Sequence, residues 1–295
     1  MKTKSITLIL AALGLIAAGC SIKENRSKCL APVNVHLSGF TVSLEDFPDT
    51  RTTVDAVDYS DINAVTLAFY TSGGAQQYKH TQIRTDGSTF TIFGDFSLSL
   101  PMGSYTMVAI AHTTKEGNTF SLTSPTAASY TGTHAYDTFV FTDDVDITNA
   151  DDAVDISATL ERVVTSLKVI STDGKTANAT NVKMHFSAGG RSFNPTTGLA
   201  TVNTGFDNTV SISAAVGSPS TSQSMFFLTA DEQTMDVTIE TLDGEGNTLS
   251  TNVVNDVPFK RNRITKLTGS IYTNNGVGGS FQLTTDWLTD YNDTF

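Results

Sequence analysis

Short runs in which apolar and polar residues alternate, each closed by a turn signal, recur along most of the chain and confine it to β-structure. Val65, Leu67 and Phe69 alternate with their neighbours, as do Phe96, Leu98 and Leu100, and residues 105–110 read as a core strand. The pattern returns in the second half with Val154, Ile156, Ala158 and Leu160, then Val182, Met184 and Phe186, then Val237 and Ile239. A period of two puts successive side chains on opposite faces, so each run has one face to bury. Met225-Phe226-Phe227-Leu228 is apolar throughout and reads as buried on more than one side. Asp86-Gly87, Pro101-Met102-Gly103 and Asp243-Gly244 supply reversals. A parallel sheet would need crossover helices between the strands, so the spacing predicts antiparallel sandwiches.

The first 19 of the 295 residues are of a different kind. Lys2 and Lys4 precede an apolar run over residues 6–18, and Ala17-Ala18-Gly19 lead into Cys20. The run is short for a membrane span and has the charged start, apolar middle and small-residue end of a secretion signal. It resembles a bacterial lipoprotein signal peptide, which implies that Cys20 carries the lipid and becomes the first mature residue. Ala17 departs from the Leu more often found there. The remainder is long enough for two domains. The expected division is a signal peptide at 1–19, a lipidated tether at 20–32, one β-sandwich at 33–157 and a second at 158–295.

Composition excludes several functions. The formal charge is −12 with no dense Lys/Arg patch, which argues against nucleic acid as a partner. With Cys20 assigned to lipid, Cys29 has no internal partner, so stability must come from apolar cores. His36, His80, His112, His134 and His185 are scattered without zinc-ligand spacing, and Gly189-Gly190 lacks a phosphate-loop lysine. No nucleophile elbow or dinucleotide fingerprint occurs, so neither an enzyme nor a cofactor is expected. Asp137, Asp143, Asp144, Asp146, Asp151, Asp152 and Asp155 do not follow a calcium-loop order and read as a solvated acidic edge. Lys260, Arg261 and Arg263 read as a solvated loop, and Arg162 as an edge cover or the partner of an acid. Phe69, Phe90, Phe96 and Tyr105 are assigned to the core, with Trp287 as a cap on the second one.

The first domain opens with Val33, Val35 and Leu37 in alternation, followed after Gly39 by Phe40, Val42 and Leu44. These make two short strands, or one strand broken by a bulge at Gly39. Residues 46–60, with Pro48 among them, read as a loop that exposes Arg51 to a trypsin-like protease.

Several segments together carry a family resemblance: Cys20 with Cys29 nearby, Leu100-Pro101-Met102-Gly103-Ser104-Tyr105, Leu160-Glu161-Arg162, residues 257–263 through Leu267-Thr268-Gly269, and Thr285-Asp286-Trp287. In these the chain resembles the fimbrillin-superfamily lipoproteins of Bacteroidales, in particular the fimbrium-anchoring subunits. The resemblance implies an all-β protein of two transthyretin-like antiparallel β-sandwich domains in tandem, and assembly with other fimbrial subunits by insertion of a β-strand. It also implies attachment to outer-membrane lipid through acylated Cys20. Stalk subunits of such families lose a leader strand by arginine-specific cleavage. Here the matching leader would carry Val33, Val35, Leu37, Phe40, Val42 and Leu44, and the matching cut would follow Arg51. Because little chain follows Trp287 to serve as a donor strand, the expectation is an anchor that keeps its leader. The alternatives are a polymerising stalk fimbrillin matured after Arg51 and a surface glycan-binding adhesin lipoprotein.

Overall fold

The computed structural model describes residues 30–43, 51–55, 62–84, 93–273, 276–277 and 281–287. Cys20, Cys29, Leu44 and Phe90 lie outside that part, as do the side chains of Phe40, Val42, Arg51 and Trp287.

The first half is one sheet curled nearly into a barrel. It contains β1 (Leu30–Ser43), β2 (Arg51–Asp55), β3 (Ala64–Thr71), β4 (Gln76–Ile83), β5 (Asp95–Pro101), β6 (Gly103–His112), β9 (Thr138–Ile147) and β10 (Val154–Arg162). Their order is β2-β1-β10-β9-β6-β3-β4, with β5 also on β1. Strands β9 and β10 pair only at Val140 with Glu161 and Phe139 with Arg162, so the sheet folds over there. The fold brings Val65, Leu67, Phe69, Met107 and Phe139 against Val33, Val35, Leu37, Phe96 and Leu160 in one core. On the far side the Gln82 side chain joins β4 to the start of β5. Its Nε2 donates to the Asp95 carbonyl at 2.6 Å, and its Oε1 accepts from Gly94 N at 2.8 Å.

In the second half, β11 (Thr165–Ser171), β16 (Thr221–Phe226), β19 (Arg263–Gly269) and β21 (Gln282–Trp287) form one sheet in the order β16-β11-β19-β21. A second sheet runs β15 (Phe206–Ser211), β12 (Asn181–Phe186), β17 (Glu232–Leu242), β18 (Thr248–Lys260), β20 (Gly276–Val277). Leu167, Val169, Phe226 and Leu267 of the first sheet share a core with Met184, Phe186, Val237, Ile239 and Phe259 of the other.

A small sheet joins the halves. Strands β7 (Phe120–Ser124) and β8 (Ala127–Tyr130) come from the first half, β13 (Ser192–Asn194) and β14 (Leu199–Ala200) from the second, and β8 pairs with β13. Beneath it a third core mixes Tyr70, Val108, Ile110 and Tyr130 with Phe193 and Phe227, whose rings stack at 4.2 Å.

Three expectations are corrected. The sheets are mixed rather than purely antiparallel, because β1 runs parallel to β10, β11 to β19 and β18 to β20. The chain returns to each parallel neighbour through intervening strands rather than a crossover helix. Residues 51–55, expected in a loop, form β2, where Thr52, Thr53 and Val54 are β-branched and favour extended backbone. Asp137 is buried, not part of an acidic edge. The three bases read as a solvated loop stand at the turn from β18 to β19, where Lys260 pairs with exposed Glu232 and Arg261 with exposed Asp231 at 2.8 Å. Two further positions are now placed. The border drawn at 157/158 falls inside β10, and the chain passes between the halves at Val163-Val164. The register of β1 slips between Leu37 and Gly39, so β1 is one strand with a bulge.

Candidate functional site: the seam filled by the first strand

Strand β1 is flanked on both sides, although it comes from the beginning of the folded chain. Along one edge it runs parallel to β10, from Val33 opposite Val154 to Thr41 opposite Glu161. Along the other it is antiparallel to β5 from Leu30 to His36, then to β2 from Gly39 to Ser43. The change of partner coincides with the bulge. Alternation sends Ala31, Val33, Val35 and Leu37 into the core, all of them buried.

The opposite face holds the strand through polar side chains. Asn34 Nδ2 donates to Asp155 Oδ1 at 2.8 Å, and its Oδ1 accepts from Ser97 Oγ at 3.1 Å, which ties β1 to both neighbours. His36 Nδ1 meets Asp95 Oδ1, and Ser38 Oγ donates to the Ala158 carbonyl at 3.2 Å. Leu37 N donates to the Gly94 carbonyl at 3.1 Å. Gly94 has a φ of 98°, and a Cβ there would stand 2.9 Å from the Leu37 carbonyl oxygen. Gly94→Ala is therefore expected to lower stability by about 1–3 kcal/mol in urea unfolding, through strain placed directly against β1.

The seam has one topological property of consequence. Removing β1 breaks no chain connection among β3 to β10, yet among the described residues it takes from β5 its one ladder partner, leaves an edge of β10 unpaired and opens a row of apolar positions. Such a slot suits strand addition, in which the ladder supplies affinity and alternate pockets supply specificity. Arg51, the candidate cleavage residue, lies in β2 with its backbone opposite Ser43 of β1.

At the joint between the halves Arg162 is the partner of an acid, one of its two sequence readings, and the identity and burial of that acid are what sequence reasoning missed. Arg162 Nε and Nη2 donate to Asp137 Oδ1 and Oδ2, both at 2.9 Å, with both side chains 1% exposed. The guanidinium lies 4.8 Å from the Phe139 ring centre, and Nη1 donates to Asn262 Oδ1 at 3.3 Å. Asn262 adopts a positive φ of 59° and donates its own N–H to the Val164 carbonyl at 2.8 Å. Two segments that carry the family resemblance, Leu160-Glu161-Arg162 and residues 257–263, thus meet at one point. Arg162 and its partners lie 25 and 100 residues apart, so no local spacing could have signalled the pairing.

Among the described residues, no three or more His, Cys, Asp or Glu side chains are placed to hold a metal ion. His112 is buried, stacks on Phe120 at 4.0 Å, and its Nε2 lies 3.0 Å from Thr66 Oγ1. Burial pushes its pKa down to about 3, so the ring is neutral in the fold. The unfolded chain takes up this proton near the ordinary histidine value of about 6.5. Stability carried by His112 is therefore complete above that pH and is lost as pH falls toward 3. His112→Gln is expected to flatten the acid limb of stability against pH, as read by urea midpoints.

A family profile described as a family of unknown function, DUF6562, matches residues 32–293. No curated protein matches by sequence. Among solved structures, a candidate adhesin from Bacteroides ovatus ATCC 8483 is 13% identical, with a TM-score of 0.51 over 80% of this chain and 87% of its own. Another candidate adhesin from Bacteroides ovatus is 12% identical, with a TM-score of 0.50 over 87% and 92%. The fimbrial anchor protein Mfa2 from Porphyromonas gingivalis is 12% identical, covering 88% of this chain and 97% of its own with a TM-score of 0.48. At these identities the likeness is one of fold. The family profile begins inside β1 and runs past β21, through both halves and their joint, and the chain belongs to the DUF6562 family.

Proposed function

We propose that this protein is a lipid-tethered surface protein of the adhesion and fimbrial kind, non-enzymatic, with its N-terminal strand filling a strand-docking seam. The observation that carries the reading is β1: a strand at the start of the chain, buried on one face, laddered on both edges, and separable from the connectivity of its neighbours. The segment before it reads as a lipoprotein signal ending at Cys20, and the sequence segments at the joint resemble those of fimbrillins. In the fuller form of this reading the halves are transthyretin-like sandwiches in tandem. The protein sits at the outer membrane and meets other fimbrial subunits through strand insertion.

Within that class the anchoring role is favoured by the place of Arg51. Proteases bind the bond they cut in an extended, accessible segment, whereas Arg51 is laddered to Ser43. Retaining β1 keeps the folded body joined to Cys20. Cleavage after Arg51 would release the body and open the seam, which is the stalk reading. Intact mass and N-terminal analysis of protein from outer membranes and from sheared surface filaments distinguish the two. The expected result is membrane protein that begins at acylated Cys20. Filament material beginning at Thr52 would assign the stalk role instead, and mature protein without acyl chains would end the tether reading.

A further inference from the structure

The segment between β8 and β9, residues 131–137, is fixed against both halves. Asn118, 5% exposed, donates Nδ2 to the His134 carbonyl at 2.9 Å and accepts Gly132 N through Oδ1 at 2.7 Å. Thr131 N donates to the Thr119 carbonyl at 3.0 Å, and Ala135 N to the Met225 carbonyl at 3.1 Å. Arg191 reaches over from the second half and donates Nη1 to the Gly132 carbonyl. A Cβ at Gly132 would stand 2.4 Å from Asn118 Cγ, so the glycine is what lets the amide close on the loop.

Exposed Lys115 and partly exposed Arg191 form a basic group beside two half-buried rings, His134 and Tyr136, the latter packed against the third core. Lys115 Nζ lies 5.2 Å from the centre of the Tyr136 ring, and the His134 ring stands edge-on to Tyr136 at 4.8 Å. Among the described residues neither Lys115 nor Arg191 makes an ion pair, and neither does Glu116, the adjacent carboxylate in sequence. Burial first, then the charges of Lys115 and Arg191, hold the His134 pKa below its ordinary value, and no carboxylate opposes them. An uncompensated basic group is unexpected in a chain of formal charge −12.

We infer that this surface binds an acidic saccharide, with its carboxylate or sulfate between Lys115 and Arg191, the sugar against the exposed rim of Tyr136, and its hydroxyls toward exposed Thr131 and Thr133. An acidic peptide fits less well. Extended peptides dock through backbone ladders, and the amides of Thr131, Gly132 and Ala135 are already spent. The site shares no residue with the β1 seam, so either assignment can fail without the other.

The test uses the mature protein against immobilised hyaluronan, which carries carboxylates, dextran sulfate, which carries sulfates, neutral dextran and poly-glutamate. Binding to hyaluronan or dextran sulfate, with none to dextran and about tenfold less to poly-glutamate, is expected, and the preferred polymer identifies the anion. Lys115→Gln with Arg191→Gln should weaken that binding by about tenfold while circular dichroism and thermal unfolding stay unchanged. If loss of the Arg191 contact unfolds the loop, Lys115→Gln alone, on an exposed side chain, should still weaken it by about threefold. Equal capture by poly-glutamate would assign the surface to an acidic protein partner and overturn the inference. So would undiminished binding by the Lys115 variant, or no binding to any polymer.

Discussion

Replacing Arg162 with alanine is expected to remove about 3–5 kcal/mol of stability, read as a shift of the urea midpoint followed by circular dichroism. The cost is large because Asp137 would stay in the interior with its charge and without its partner, both side chains now being 1% exposed. The same change removes the cation from the Phe139 ring and a donor from Asn262, so the joint between the halves loses hydrogen bonds along with charge. A domain has only about 5–15 kcal/mol to lose. Replacing the pair together, Arg162→Met with Asp137→Leu, should recover much of the loss, since desolvation takes back most of what a buried ion pair gains. If the single variant unfolded at the wild-type midpoint, the clasp would be incidental. The wild type should also unfold in one transition, because Phe193 and Phe227 of the second half complete the third core with Tyr70 and Ile110 of the first.

Which side chains turn inward was readable from alternation, because a two-residue period depends only on the strand itself. Val33, Val35 and Leu37 are buried on that account, whereas β3 departs from it, because Val65, Leu67 and Phe69 enter the first core while Ala68 and Tyr70 on its other face enter the third. The apolar run at residues 225–228 is buried on both faces: Phe226 enters the second core and Phe227 the third. Alternation says nothing about which strand lies alongside or in which direction, so the parallel pairings of β1 with β10 and β11 with β19 were hidden. Strand β2 was hidden because its stabilisation comes from pairing with β1 and not from an apolar pattern of its own. That Arg162 meets an acid was one of two sequence readings, but that the acid is Asp137 and that both are buried was hidden for a related reason. Each residue type is usually solvated, and only the tertiary arrangement buries the two together. The basic group at Lys115, His134 and Arg191 likewise draws on both halves and leaves no sign in local composition.

The largest functional effect is expected from removing β1. Burying Val33, Val35 and Leu37 is worth roughly 1.5–3 kcal/mol each, so about 5–9 kcal/mol as an upper figure, before the two ladders are considered. That is comparable to the whole stability of a domain, so the chain from Thr52 onward should not hold the first half folded alone. A peptide of residues 30–43 supplied in trans should restore it, by pairing parallel to β10 and antiparallel to β5 and β2. The same peptide carrying Val35→Asp should not, because it brings an unpaired charge to a position buried among Leu67, Phe69 and Phe96. Circular dichroism and protease resistance of the first half read all three outcomes. A truncated chain that folds to full stability without peptide would show that the seam closes by itself. One that unfolds and is not rescued by the native peptide would show that β1 is structural but not exchangeable. Rescue by the native peptide and not by the Val35→Asp peptide is the outcome that strand docking requires, because only an exchangeable strand discriminates in trans at the side chains it buries.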